Sequence, residues 1–198
     1  MPDLFSSPPD TAIAISGGGR FDVFHPVAGS ITLEDLALAL SRQARFLGRT
    51  PVALSVAQHS IEVARWSPPG LAAWGLLHDA AEAFLGDWPR PIRQQVYFRD
   101  PTDGDAIGGE LISFDELEAR VLRAVAERFD LPGDSIPLEV QQVDDRVLAT
   151  EIRGLWDEDP TSWGVEARPY PTTSTIAPLA EHYARKLFLE KARDLGVE

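Results

Sequence analysis

The chain contains no cysteine in its 198 residues. Disulfides and thiolate metal ligands are therefore excluded, so any metal must be held by His, Asp or Glu, and the composition suits a reducing compartment. Cationic side chains are also scarce: 18 Lys plus Arg stand against 31 Asp plus Glu, a net charge of −13. Such a surface repels nucleic-acid polymers and anionic membranes, because gripping a phosphate backbone at many points needs a basic face. Any phosphate this protein handles is then small and held locally. No run approaches the roughly 18 apolar residues of a membrane span. Met1 to Pro9 lacks the basic and apolar regions of a secretory signal, so a cytoplasmic location is expected.

Apolar residues make up 44% of the chain and charged residues 25%, the balance of an ordinary globular protein. The length suffices for one substantial core and is short for two, so a single domain is expected over residues 1–198. Residues 1–30, rich in Pro, Ser and Gly, read as an extended segment, with Phe21-Asp22-Val23-Phe24 a short strand or a piece packed on the body. Ser16-Gly17-Gly18-Gly19-Arg20 resembles a phosphate-cradling loop only superficially, because no Gly-Lys-Ser/Thr follows it.

From Thr32 a helical period takes over, with Leu33, Leu36, Ala37, Leu40 and Ala44 on one face and Thr32 with Asp35 as a capping pair. A second helix is predicted from about Val52 to Trp66, ended by Ser67-Pro68-Pro69-Gly70. A third runs from about Leu71 to Leu85 and stops at Gly86. The segment from Phe98 to Ser113 reads as a solvated loop. Ser113-Phe114-Asp115-Glu116 opens a helix to about Phe129, with Leu117, Val121, Ala124 and Val125 inward. Pro137 begins another, in which Val140, Val143, Asp144, Val147 and Leu148 share a face. Asp157 to Ser174 is a long surface excursion. Pro178 opens a last helix with Leu179, Tyr183, Leu187 and Phe188 inward and Glu181 and Arg185 as an outer ion pair. The predicted fold is all-α, a helical bundle with long loops.

The residues that carry chemistry are two histidines and two aspartates. His78 and Asp79 are adjacent, so both reach one ion only if it sits over that edge of their helix. His59 comes from the preceding helix and Asp144 from a later one, which is how bundles build internal metal sites. Each of these alone has an ordinary reading, as a hydrogen-bonded core histidine or an ion-paired aspartate. Asp144 changes the weighing, because a carboxylate among Val140, Val143 and Val147 is costly unless a cation shares it. Asp145 adjoins it, but Asp144 shares the apolar face. Nitrogen and oxygen ligands suit Mn, Co, Ni, Zn, Fe or Mg, so one divalent ion of open identity is expected. Glu82, four residues after His78, projects toward the same place and is the candidate to orient or deprotonate an attacking water.

His59, His78-Asp79 and Asp144 resemble the H…HD…D pattern of the HD-domain phosphohydrolases, all-helical metal-dependent phosphatases and phosphodiesterases. More narrowly, Gln58-His59-Ser60, His78-Asp79-Ala80-Ala81-Glu82 and Gly86-Asp87-Trp88-Pro89-Arg90-Pro91 are similar to bacterial 5'-deoxynucleotidases and phage dATP triphosphohydrolases. The resemblance covers about Ile31 to Trp156. It implies an HD-domain bundle with Glu82 positioning water. It further implies that Arg45, in the helix before His59, holds a substrate phosphate through its planar fork. Phe46, where relatives often have tryptophan, would crowd the sugar 2' position, and Asp87 would accept from the 3'-hydroxyl. Arg93, where relatives carry lysine, would add phosphate charge. Phe21, Phe24 and Trp88 are the stacking candidates for a base. His25 and His182 are left outside the site.

The expected substrate is a 2'-deoxyribonucleotide. It is either a monophosphate cleaved to nucleoside and phosphate, or dATP or another dNTP cleaved to nucleoside and tripolyphosphate. A phosphodiesterase of cyclic or signalling nucleotides is a second enzyme reading, and a catalytically idle metal-binding regulatory module is a third, from another class. The apolar last helix points to a homo-oligomer.

Overall fold

The computed structural model describes residues 11–101, 109–171 and 177–197. The chain is mostly helical. After a small hairpin of β1 (Ala12–Ala14) and β2 (Arg20–Asp22), α1 spans Leu33–Arg42, α2 Val56–Trp66 and α3 Ala72–Leu77. Two single-turn helices follow, α4 (Glu82–Leu85) and α5 (Arg90–Arg93). A second hairpin joins β3 (Tyr97–Arg99) to β4 (Leu111–Ser113), and then come α6 (Phe114–Arg128), α7 (Leu138–Trp156) and α8 (Glu181–Asp194). No helix among the described residues is long and apolar enough to cross a membrane.

Local chemistry explains the helix starts. Thr32 Oγ1 accepts the Asp35 backbone N–H at 3.2 Å and donates to Asp35 Oδ2 at 2.9 Å, so the predicted capping pair is formed. Ser113 caps α6 in the same way through the Glu116 N–H, 3.1 Å away. The inward stripe of α6 is the predicted one: Leu117, Val121, Ala124 and Val125 are all buried. The Ser16 to Gly19 stretch is the tight turn of the first hairpin, closed by Ile15 N–H to the Gly19 carbonyl and tied to α1 through Ser16 N–H to Asp35 Oδ1.

Several boundaries differ from the sequence-based expectation. α1 ends at Arg42 rather than reaching Ala44, because Ala44 turns extended and pairs with Ser55. α2 starts at Val56, where the Ser55 hydroxyl accepts the Gln58 N–H, so Val52 lies outside the helix. The predicted loop from Phe98 to Ser113 is bounded by the β3–β4 hairpin; its residues 102–108, with Asp103 and Asp105, lie outside the described residues. Within the excursion after Asp157, Tyr170 is buried and its ring stacks on Trp66 at 4.2 Å.

The last helix also differs. Its inward face is Ala184, Phe188 and Ala192, packed on α1 and α2, while Tyr183 is 45% exposed. Glu181 pairs with Arg42 of α1 at 2.7 Å rather than with Arg185. The apolar face that pointed to a homo-oligomer is thus consumed within the chain, and α8 no longer argues for a second copy.

The packing that matters for function is between α2 and α3. A Cβ on Gly75 would lie 2.5 Å from Ser67 Oγ and 2.8 Å from Ala64 Cα, so only glycine allows this approach. The close contact sets His78, just after α3, beside His59 of α2, their rings 5.3 Å apart.

Candidate metal centre

His78 and Asp79 do not lie within one continuous helix from Leu71 to Leu85, as periodicity predicts. α3 ends at Leu77 and α4 begins at Glu82. The intervening backbone closes i→i−3 bonds: Ala80 N–H to Leu77, Glu82 N–H to Asp79 and Ala83 N–H to Ala80. Such tighter winding eclipses residues three apart. It therefore brings Asp79 and Glu82 to the same side.

Four side-chain atoms from three segments converge. His59 Nε2 lies 2.9 Å from Asp144 Oδ1 and 3.6 Å from Asp79 Oδ2. His78 Nε2 lies 3.2 Å from Asp79 Oδ2 and 3.8 Å from Asp144 Oδ1. Despite these distances neither Nε2 makes an aligned hydrogen bond. The four groups aim at a shared centre rather than at one another. Two ligands about 2.1 Å from one ion are at most about 4.2 Å apart, and every separation above meets that limit. His59, His78 and Asp144 form a cluster able to hold a metal ion, with Asp79 adjoining.

The outer ring nitrogens fix the tautomers. His78 Nδ1 faces the Gly75 carbonyl at 2.9 Å, and a carbonyl only accepts, so Nδ1 carries the proton and Nε2 is left to face the cluster. His59 Nδ1 lies 2.8 Å from Glu151 Oε1 and donates to it in the same way. The carboxylates also draw positive charge to the cluster. Burial works to lower the His78 pKa, but the Asp79 charge and the contacts with Asp144 and Asp79 outweigh it and hold it well above the usual imidazole value. Burial works to raise Asp144, yet the two histidines keep it well below the usual carboxylate range. A cluster so eager for positive charge fits a cation. Asp144 retains 35% exposure of its side chain, so it stands at the mouth of the site rather than in the apolar stripe its neighbours suggested. Asp145 has no place in the cluster.

Around this centre lies an irregular rim. Arg45 is not in α1 but follows it, in a 3-10 turn over Arg45–Gly48 where Phe46 and Leu47 have φ of 54° and 55°. It is buried, with one guanidinium nitrogen 2.9 Å from Glu151 Oε2 and another 3.7 Å from Asp79 Oδ2. Phe46 is half-buried and meets Trp156 edge-on, ring centres 5.1 Å apart. Glu82 Oε2 is buried without a hydrogen-bond partner among the described residues. Burial first, then the charges of Asp79 and Asp87, push the Glu82 carboxyl well above its usual range. Gly86, at φ 90° and ψ 153°, makes a bend that side-chain-bearing residues disfavour. Asp87 follows it and accepts the Phe46 backbone N–H; burial raises its pKa.

No family model matches the chain. It is similar to a protein of Escherichia coli strain K12 named "Uncharacterized protein YfdR", with 30% identity over 167 residues that cover 84% of this chain and 85% of that one. The chain belongs to the family of YfdR. A second relative, "Uncharacterized protein RCAP_rcc00048" of Rhodobacter capsulatus, is 37% identical over 125 residues, which cover 59% of this chain and 57% of that protein's length. Neither name states an activity.

In this YfdR-family chain the remaining predicted residues lie on or near α5 and the first hairpin. Arg93, on α5, pairs with Asp115 at 3.1 Å and Glu118 at 3.0 Å, so its charge is already shared between two carboxylates. Trp88 is 42% exposed, its indole N–H donating to the Leu85 carbonyl. Phe21 is removed from the base-stacking candidates, because it is fully buried and stacked on Phe84 at 3.9 Å. Phe24 is half-buried, edge-on to Phe98.

Sequence reasoning missed Glu151 and Glu118. Glu151, fully buried, bridges His59 and Arg45. A glutamate two turns beyond Asp144 in an otherwise apolar stripe was the available signal. Glu118 has its pKa raised to about 7, by burial first, against the pull of Arg93. Nothing local distinguishes it from the exposed glutamates of α6.

Proposed function

We propose that this chain is an HD-type metal-dependent phosphohydrolase of 2'-deoxyribonucleotides. It acts either as a 5'-deoxynucleotidase or as a dATP or dNTP triphosphohydrolase. The observation that carries the reading is the convergence of His59, His78, Asp79 and Asp144 on one point, with Arg45 buried beside Asp79 and a Glu82 Oε2 that has no hydrogen-bond partner among the described residues. A divalent ion held there supplies a Lewis acid for a phosphoryl oxygen and for water.

The chain's own groups do the rest. His59 and His78 present Nε2 because their Nδ1 protons are committed to Glu151 and Gly75. Glu82 orients or deprotonates the attacking water, a role for which its buried Oε2, unbonded among the described residues, is free. Arg45, anchored by Glu151, receives the phosphate through its remaining guanidinium N–H groups, an interaction that burial away from water strengthens. Asp87 takes the 3'-hydroxyl, Phe46 crowds the 2' position, and Trp88 offers an exposed indole to the base. Arg93 adds charge only by turning away from Asp115. The acidic surface leaves attraction of so anionic a substrate to the bound cation and these arginines.

The test is a panel of dNMPs, dNTPs, NMPs and cyclic nucleotides assayed with Mn, Co or Mg. Phosphate from dNMPs alone identifies the nucleotidase and tripolyphosphate from dATP the triphosphohydrolase; release from cyclic substrates, or from none, overturns the proposal. Glu82→Gln should keep metal affinity and lower kcat by about 100-fold or more.

A further inference from the structure

One buried ionised group lies directly behind the cluster without facing its centre. Glu151 sits on α7 two turns beyond Asp144, and its carboxylate is completely withdrawn from solvent. A carboxylate survives such burial only when its oxygens are engaged by donors or cations. Oε1 receives His59 Nδ1–H at 2.8 Å and Oε2 receives an Arg45 guanidinium N–H at 2.9 Å. The same side chain thus touches a metal-facing imidazole and the buried cation beside it.

Resting on the phosphohydrolase reading, the geometry points to Glu151 as a positioning residue that couples the cation subsite to the anion subsite. It acts through two neighbours and touches neither metal nor substrate. Toward His59 it accepts the Nδ1 proton, which leaves the Nε2 lone pair for a metal and makes the ring a stronger donor. Toward Arg45 it supplies the anchor that the backbone does not, since this residue follows α1 in a turn with left-handed φ at Phe46 and Leu47. The anchor also keeps the guanidinium from moving the remaining distance to Asp79 Oδ2, now 3.7 Å away. An arginine released from Glu151 would close on Asp79 and compete with the cation for that ligand.

Glu151→Gln keeps the shape but replaces one acceptor oxygen by an NH2 group, so the side chain accepts from His59 or from Arg45, not from both. Calorimetric titration of the folded protein with Mn or Co alone should show metal affinity lowered about 10- to 100-fold. Arg45→Met, which leaves the Glu151–His59 bond intact, should not weaken metal binding. A purely structural role would lower the melting temperature of the metal-free protein and leave the metal affinity of the folded form unchanged.

A Glu151→Gln affinity within about threefold of wild type overturns the inference, as does an equal loss in Arg45→Met. Should Glu151→Gln not fold, the double variant Arg45→Met/Glu151→Leu, which removes both buried charges and the acceptor for His59 Nδ1, carries the same measurement with at least a tenfold loss expected. Absence of metal uptake by the wild type overturns this inference together with the proposed function. Absence of phosphate release from metal-loaded wild type counts against the proposed function alone, because the affinity comparison uses no nucleotide.

Discussion

The two sides of the candidate site are built on different principles. The cation side stands on α2, the end of α3 and α7, where His59 is completely buried, His78 nearly so, and each imidazole is locked by a hydrogen bond behind it. The rim stands on short turns: Arg45–Gly48 with two left-handed residues, α4, the Gly86 bend and α5. Ligands on packed helices hold their geometry through the core, whereas turns hold theirs through side-chain ties, such as Arg45 to Glu151 and Arg93 to Glu118. The first arrangement suits a fixed ion, and the second leaves the groups around it free to adjust.

Three changes sharpen this contrast, in descending order of effect. His78→Ala removes a ligand from the rigid side and should abolish both measurable metal binding and phosphate release; retention of either would mean that the cluster is not the metal site. Gly75→Ala strikes the α2–α3 contact on which the histidine pair depends, because the new methyl would overlap Ser67 Oγ and Ala64 Cα. It should cost about 1–3 kcal/mol of stability, read as a lower urea midpoint, and weaken metal binding as well. On the rim, Leu47→Gly relieves a left-handed φ at a 52% exposed residue and should stabilise the protein by about 1 kcal/mol without changing metal affinity. A loss of stability there would show that the turn is held by Leu47 contacts rather than merely tolerated.

The legibility of the sequence follows the same division. The helical class, the caps at Thr32 and Ser113 and the buried stripe of α6 depend on neighbours a turn apart, so they were readable. The break between α3 and α4 was not, because apolar spacing through Leu77, Ala81 and Leu85 looks the same for continuous α winding and for the i→i−3 bonds that occur. The burial of Arg45 and the identity of its ion-pair partners were not readable, because Glu151 and Asp79 lie far away in the chain. On α8 the expected inward Phe188 is buried, but Ala184 rather than Tyr183 faces the core beside it, since both positions carry side chains compatible with a core.

Residue types and spacing by themselves determined that thiolate chemistry is absent, that the chain is mainly helical and that His59, His78-Asp79 and Asp144 are the groups worth bringing together. These properties depend on composition and on interactions within a few turns of chain. The tertiary structure alone decided that Asp144 stands at the mouth of the site, that Glu151 completes the setting of His59, that Arg45 is buried and that Phe21 belongs to the core. Those outcomes depend on which surfaces meet across long sequence separations. The desolvation of a charge and the direction of a lone pair exist only once the helices have packed.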